Sequence, residues 1–446
     1  MNRVAFGVLA ALLSLTQVAQ AAETMKSPGT DAVLLRAAHL FDGASGKLVS
    51  PGSVLVQGGK ITAVNARVEL AEGTRVIDLG DATLLPGYID AHTHLTFDYS
   101  EDWGKAFYEG MLRFPAEDAL HAAHNAKLTV EAGVTTVRNV GAGDFVDIAL
   151  RNAINQGLVE GPRMLTAAHA IGSTGGHCDS SPIPPDRVAL SGPLEGVCDG
   201  ADECRKAVRL QMKYGADVIK ICASGGVLSE SDPVDVPQLT PDELKAIIGE
   251  AHTWGRKVAA HSHGDLAARM AVEAGVDSIE HGSFLSDDTL RLMMSRGTYL
   301  VPTRVTVTWL DKLLDRFPPK VRAKAEAAKA GHADAMKRAF AIGVPIAMGT
   351  DAAVYPHGFN AREFGDYVDL GLTPAQALMT SSQGAAKLLG VDKETGTLEA
   401  GKAADIVAVP GNVLQDIRAT ERPLLVMKQG RISLDRRGSA PVANGN

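Results

Sequence analysis

His92 and His94 are separated by one residue, and so are His261 and His263. Side chains of an extended strand alternate faces with a period of two, so each pair presents both imidazoles on one face. Neutral imidazole is a common metal ligand, and two at such spacing can chelate one ion. Taken alone, each pair is weak evidence and is more readily read as two satisfied polar histidines at a strand end. Other residues of the same chemistry follow along the chain. Lys220 lies within Ile219-Lys220-Ile221, where an unpaired ammonium is costly. Either it forms a salt bridge, or burial and nearby cations hold the amine neutral. A neutral amine can add CO₂ and become a carbamate, which turns a cation into a bridging carboxylate. Glu280-His281-Gly282 and Met348-Gly349-Thr350-Asp351-Ala352 end two more apolar runs. The series His-x-His, Lys, His, His, Asp in chain order suits a metal centre better than coincidence.

These residues need a scaffold that gathers strand ends. Apolar strand-like runs cover 84–91, 133–140, 163–170, 216–223, 257–261, 278–285, 299–305 and 345–349. Helix patterns alternate with them at 115–132, 146–158, 202–214, 241–254, 265–274, 286–295, 321–342 and 373–389. Thr240-Pro241-Asp242-Glu243 places an N-cap, a first-turn proline and acids at one helix start, and Thr373-Pro374 opens another. Eight such units in about 300 residues predict an α/β fold, a (β/α)₈ TIM barrel with functional side chains at the carboxyl ends of its strands. An open doubly wound sheet also alternates but has no reason to stop at eight. Outside the middle the rhythm changes. Short runs punctuated by glycine fill 31–85, and similar runs return at 404–409 and 424–432, predicting a small β domain assembled from both chain ends.

The 446 residues are 45% hydrophobic with a formal charge of −8. That is ample material for a packed interior, and it excludes disordered and collagen-like classes. No basic face is evident for nucleic acid. Arg3, the uncharged stretch 4–15 and Ala19-Gln20-Ala21 read as a signal peptide over 1–21, cleaved before Ala22. The expected location is therefore periplasmic or secreted, with no membrane span in the mature chain. Export permits disulfides. A pair drawn from Cys178, Cys198 and Cys204, which share one Gly/Pro/Asp-rich stretch, is as consistent with the sequence as four free thiols. Cys222 sits inside a strand pattern.

The segments PGYIDAHTHL, GVTTVRNVG, STGGH, IKICASGG, VAAHSHG, SIEHG, MGTDA and GTLEAGKAADIV resemble the amidohydrolase superfamily. The likeness is to its imidazolonepropionase-like group, which includes Xaa-Pro dipeptidases, carboxypeptidases and ochratoxin-hydrolysing amidases, and it spans the mature chain. The resemblance implies a distorted barrel over 86–394 and a β-sandwich built from 22–85 and 395–446. It implies two metal ions. His92, His94 and Asp351 would hold the inner one, His261 and His281 the outer one, and Lys220, as N6-carboxylysine, would bridge them. His263 shares the face of His261 and is an alternative ligand. Zinc suits imidazole and carboxylate donors, with cobalt or manganese also compatible.

The reaction so implied is amide hydrolysis. A hydroxide shared by the two ions attacks the carbonyl, and Asp351 carries the proton to the leaving nitrogen as general acid/base. His263 and His177, the latter in the loop Thr174-Gly175-Gly176-His177, are candidates to stabilise the oxyanion or hold the substrate. Two divalent ions offset by one carbamate, one aspartate and one hydroxide leave about one net positive charge. That favours a substrate with a carboxylate beside the amide: an N-acyl amino acid or dipeptide that releases its C-terminal residue, ochratoxin-type phenylalanine amides included. The segment 96–114 is rich in aromatics and reads as a lid or a subunit contact. His169 and His357 are weaker site candidates. Relatives of this kind often form homo-oligomers. The competing readings are a cyclic-amide hydrolase of the imidazolonepropionase type, a mononuclear deaminase, disfavoured by Lys220 and by His261-Ser262-His263-Gly264-Asp265, and a barrel without catalysis.

Overall fold

The computed structural model describes residues 32–66, 69–179, 183–184, 186–229 and 232–437. The expected signal peptide lies outside them. Seven parallel strands form two ladders. Tyr88–Thr93, Val134–Asn139 and Arg163–Thr166 are neighbours in one; Val218–Cys222, Lys257–Ser262, Ser278–His281 and Tyr299–Val301 follow in order in the other. Every residue of Tyr88–Thr93, Val134–Asn139 and Ser278–His281 is buried. This is the pattern of parallel strands covered on both faces, and it explains their near-continuous apolar runs.

The eighth run, 345–349, forms no ladder strand. A few backbone bonds tie it on both sides: Leu300 N donates to Pro345 O at 2.8 Å and Ala347 N to Leu300 O at 3.0 Å, while Ala91 N donates to Met348 O at 2.8 Å. Isolated parallel bridges add Leu300 to Ile346, Thr93 to Ala352 and Ile171 to Ile221. Helices alternate with the strands as the sequence predicts, giving a TIM-barrel-like α/β domain. Pro241–Thr253 shows why these helices begin where they do. Thr240 caps Glu243 N, and the Glu243 carboxylate accepts from Thr240 N at 2.7 Å. Such a cap contributes about 1 kcal/mol.

Two mixed sheets lie at the chain ends. One orders Lys60–Val64, Gly52–Gln57, Val33–Ala37 and Arg75–Asp78. The other orders Arg431–Asp435, Leu425–Lys428, Ile406–Pro410, Ala82–Pro86, His39–Asp42 and Lys47–Val49. Residues from both termini share one apolar cluster that includes Leu35, Val54, Ile61, Leu84, Ile406 and Met427.

Several expected boundaries shift. The run 84–91 divides at Gly87, with Ala82–Pro86 in the terminal sheet and Tyr88–Thr93 among the parallel strands. The run 299–305 becomes strand Tyr299–Val301 and helix Arg304–Leu310, and 373–389 contains a π-helical turn at Thr380–Ala385. Helix Trp103–Leu112 lies within the aromatic segment 96–114. All four cysteines are bonded. Cys198 pairs with Cys204, one of the pairs open to Cys178, Cys198 and Cys204 as an alternative to free thiols, whereas Cys178 bonds Cys222 in the strand. Among the described residues no helix is long and apolar enough to cross a membrane.

Candidate metal centre

The sequence-predicted residues converge at the carboxyl ends of the parallel strands. His92 comes from Tyr88–Thr93, Lys220 from Val218–Cys222, His261 from Lys257–Ser262 and His281 from Ser278–His281. His94 and His263 lie just beyond strand ends, and Asp351 follows the run 345–349. Register fixes their neighbours: Cys222 pairs with His261, and Ser262 with His281. Ring centroids of His92 and His281 are 5.0 Å apart, those of His261 and His281 4.5 Å, and those of His263 and His281 4.9 Å. His94 Nε2 and His92 Nε2 stand 3.3 and 3.4 Å from one carboxylate oxygen of Asp351.

Two donor triads result. His92, His281 and Asp351 offer ligand atoms within 4.8 Å of one another, and so do His261, His263 and His281. Hydrogen bonds select which nitrogen faces the cluster. Nδ1 of His92 bonds Glu280 Oε2 at 2.7 Å, Nδ1 of His281 bonds Thr303 Oγ1 at 2.8 Å, and Nδ1 of His263 bonds Ser283 Oγ at 2.8 Å. Each leaves Nε2 for an ion. His261 is reversed: its Nε2 lies 3.1 Å from Gly225 O, so Nδ1 is the available atom. Nδ1 of His94 is buried and has no partner among the described residues. Oriented imidazoles with one carboxylate are a donor set that can hold a divalent metal.

The backbone shows how consecutive residues serve one site. A regular strand would send Glu280 and His281 to opposite faces. Both reach His92, because His281 adopts a left-handed conformation with φ 69°. Asp351, at φ 61°, is another non-glycine in that region. Such conformations cost about 1–3 kcal/mol each and persist where surrounding contacts enforce them. Asp90 supplies such contacts. Its buried carboxylate accepts from His92 N at 3.0 Å, Thr350 N at 3.1 Å, Thr350 Oγ1 at 2.5 Å and Asn360 Nδ2 at 2.8 Å, joining the two ligand-bearing segments.

Burial above all favours the neutral form of His261, His281, His263 and His177. Burial, then neighbouring imidazoles, holds His261 and His281 well below the usual histidine range. Burial brings His263 down to about 3 and His177 to about 4. Burial alone would raise the Asp351 carboxyl, but hydrogen bonds and charge from His92 and His94 outweigh it and hold the group well below the carboxylate range. Lys220 is 4% exposed and forms no ion pair among the described residues. Burial lowers its amine to about 8, with Glu280 and Asp351 opposing and Arg138 assisting.

Sequence reading missed the support beneath His92. Arg138, fully buried, donates from Nε to Ala91 O at 2.5 Å, from NH1 to Ser278 Oγ at 3.1 Å and from NH2 to Glu280 Oε1 at 2.8 Å. The chain Arg138–Glu280–His92 thus spans three strands. Its signal was in plain view: Arg138, like Lys220, is a cation inside an apolar strand pattern. His177 does join the cluster, its ring 4.3 Å from that of His261. His169 bonds Asp144 N at 3.2 Å and His357 bonds Phe97 O at 2.9 Å.

A buried His/Asp cluster at the strand ends of a TIM-barrel-like domain is a site that could hold a metal ion, and the comparisons give its family. The chain belongs to the amidohydrolase family, whose model matches residues 83–433. It is 34% identical over 359 residues to ochratoxinase of Aspergillus niger, covering 77% of this chain and 73% of that protein. A solved Xaa-Pro dipeptidase with methionine bound in its active site is 37% identical, with a TM-score of 0.86 over 90% of this chain and 99% of the other. A prolidase complexed with N-methylphosphonate-L-proline is 28% identical, with a TM-score of 0.83 over 91% and 100%. The protein is accordingly a hydrolase of amide bonds in small molecules, in a family that usually binds metals.

Proposed function

We propose that this protein is a binuclear-metal amidohydrolase that cleaves N-acyl amino acids or dipeptides and releases the C-terminal amino acid. The observation that carries this reading is the pair of donor triads sharing His281, with Lys220 buried nearby. His92, His94 and Asp351 would hold one ion and His261 with His281 the other; Lys220, carboxylated by CO₂, would bridge them. Two ions so held, zinc by the chemistry of the donors, would supply Lewis acidity toward water and the substrate carbonyl. The protein's own residues do the rest. Asp351 accepts a proton from the attacking water and returns it to the leaving nitrogen. His263, within the second triad but left without an ion in this assignment, and His177 beside His261 donate to the oxyanion as the carbonyl becomes tetrahedral, His263 from Nε2 with Ser283 Oγ donating to its Nδ1.

The ochratoxinase and Xaa-Pro dipeptidase likenesses support a substrate whose scissile amide sits beside a free carboxylate, phenylalanine amides of the ochratoxin type among them. The same reading takes residues 86–394 as a distorted (β/α)₈ barrel and 22–85 with 395–446 as a β-sandwich. The mature chain would be a periplasmic or secreted homo-oligomer, freed of residues 1–21. The test is a panel of N-acyl amino acids and dipeptides, each paired with its C-terminal carboxamide, assayed with and without chelator. Chelator-sensitive turnover of the free acids, with the carboxamides poor, is expected. Equal turnover of both members would reject the carboxylate requirement, and turnover indifferent to chelator would reject the metal.

A further inference from the structure

We infer that the Cys178–Cys222 disulfide is a positioning element of this site, and that it seats the His177 imidazole against His261. The inference rests on reading the cluster as the hydrolytic centre. Cys222 ends the strand that carries Lys220 and lies opposite His261 in the sheet register. Cys178 directly follows His177, so one covalent bond couples the His177 loop to the ligand-bearing strands. The Cα atoms it joins are 5.7 Å apart.

The surroundings are shaped for this seat. A Cβ on Gly226 would lie 2.1 Å from His177 Cε1, so a glycine there makes room for the ring. A Cβ on Gly172 would lie 2.8 Å from Cys178 Cβ, so the cysteine also packs onto bare backbone. His177 N donates to Gln238 Oε1 at 2.8 Å, and Gln238 Nε2 donates to Asp232 Oδ2 at 2.7 Å. Nδ1 of His177 is buried without a partner among the described residues. Among the described residues the loop's other ties to the rest of the fold lie upstream, where Thr174 bonds Asp199, while Gly175 N to Asp179 Oδ2 at 2.8 Å and Asp179 N to Gly176 O at 3.0 Å bind the loop to itself. Gly175, exposed and at φ 73°, and Gly176 separate the Asp199 ties from the histidine. The disulfide therefore fixes the imidazole where the Gln238 bond alone would let the loop swing. Cys198–Cys204 joins the segment that meets Gly172 and Thr174, upstream of His177, to the start of helix Ala201–Lys213, and serves as the control disulfide.

The experiment compares C178A/C222A, H177A, the triple variant and C198A/C204A as full-length, metal-loaded protein. Metal content is measured alongside kcat and KM. C178A/C222A should keep its metal and lose about 10²-fold in kcat/KM, the scale of a displaced catalytic group. H177A should lose as much, and the triple variant no more than H177A, because the disulfide acts through that histidine. C198A/C204A should match the parent. Losses that multiply in the triple variant, or an unimpaired C178A/C222A, would overturn the inference. Amide hydrogen exchange supplies a readout independent of turnover. Residues 172–179 should exchange at least about tenfold faster in C178A/C222A than in C198A/C204A, and equal rates would overturn the clamp. A parent that hydrolyses no amide would instead overturn the proposed reaction, and exchange would still decide the clamp.

Discussion

Replacing Glu280 by glutamine tests whether the buried chain beneath His92 sets its metal-facing nitrogen. The carboxylate now accepts from Arg138 on one oxygen and from His92 Nδ1 on the other. Glutamine has one oxygen, which Arg138 claims, so its amide nitrogen turns toward His92 and forces the imidazole proton onto Nε2. Metal binding must then displace that proton, and loss of such an outer partner typically lowers affinity about 10- to 100-fold. Stability falls too. Burial would raise the Glu280 carboxyl, but Arg138 and the His92 bond hold it at about 2, against 4.5 for a free side chain. That depression corresponds to roughly 3 kcal/mol, the scale expected when a buried ion pair loses one charge. The sign follows from a lowered carboxylate: its contribution is complete above pH 4.5 and is lost as pH falls through about 2. Urea unfolding of metal-free protein should therefore separate E280Q from the parent by about 3 kcal/mol at pH 7 and by less at pH 3.5. Chelator competition reads the affinity. A folded E280Q with parental metal affinity and parental stability at pH 7 would refute the reasoning.

K220A should abolish turnover and lower metal content below that of the parent, measured by elemental analysis; two ions retained with activity would break the bridging assignment. Buried His332, whose Nε2 bonds Pro302 O at 2.8 Å, is held by burial at about 4. Its contribution is whole above pH 6.5 and drains away as pH falls toward 4, so the unfolding free energy of H332Q should vary roughly 3 kcal/mol less than the parent's between pH 7 and 4. G349A would put a Cβ 2.2 Å from Val301 Cγ1 and 2.9 Å from His92 Cβ. We expect about 1–3 kcal/mol of lost stability from overpacking, together with weaker metal binding, by denaturant titration and chelator competition; an unchanged variant would mean that Gly349 is not needed for packing against His92.

The ligand candidates were legible because period-two spacing and interrupted apolar runs are local signals. His92 with His94, Lys220, His261 and Asp351 each announce themselves within a few residues. Strand order was readable from alternation, except where 345–349 binds its neighbours through a few backbone bonds that no pattern encodes. The remainder is tertiary. Nothing near Cys178 in sequence shows that Cys222, 44 positions on, is its partner. Glu280 reads as a strand terminus until the left-handed turn at His281 lets both residues reach His92. Asp90, inside an already conspicuous motif, was passed over because its role depends on Thr350 and Asn360.

Anomalous diffraction at the zinc edge, on crystals of protein purified without chelator, tests the metal centre most directly. The account predicts two peaks, one among His92, His94 and Asp351 and one beside His261 and His281, with carbamate density on Lys220 between them. Crystals grown with added zinc that show no peak in this cluster, and a bare amine at Lys220, would contradict it.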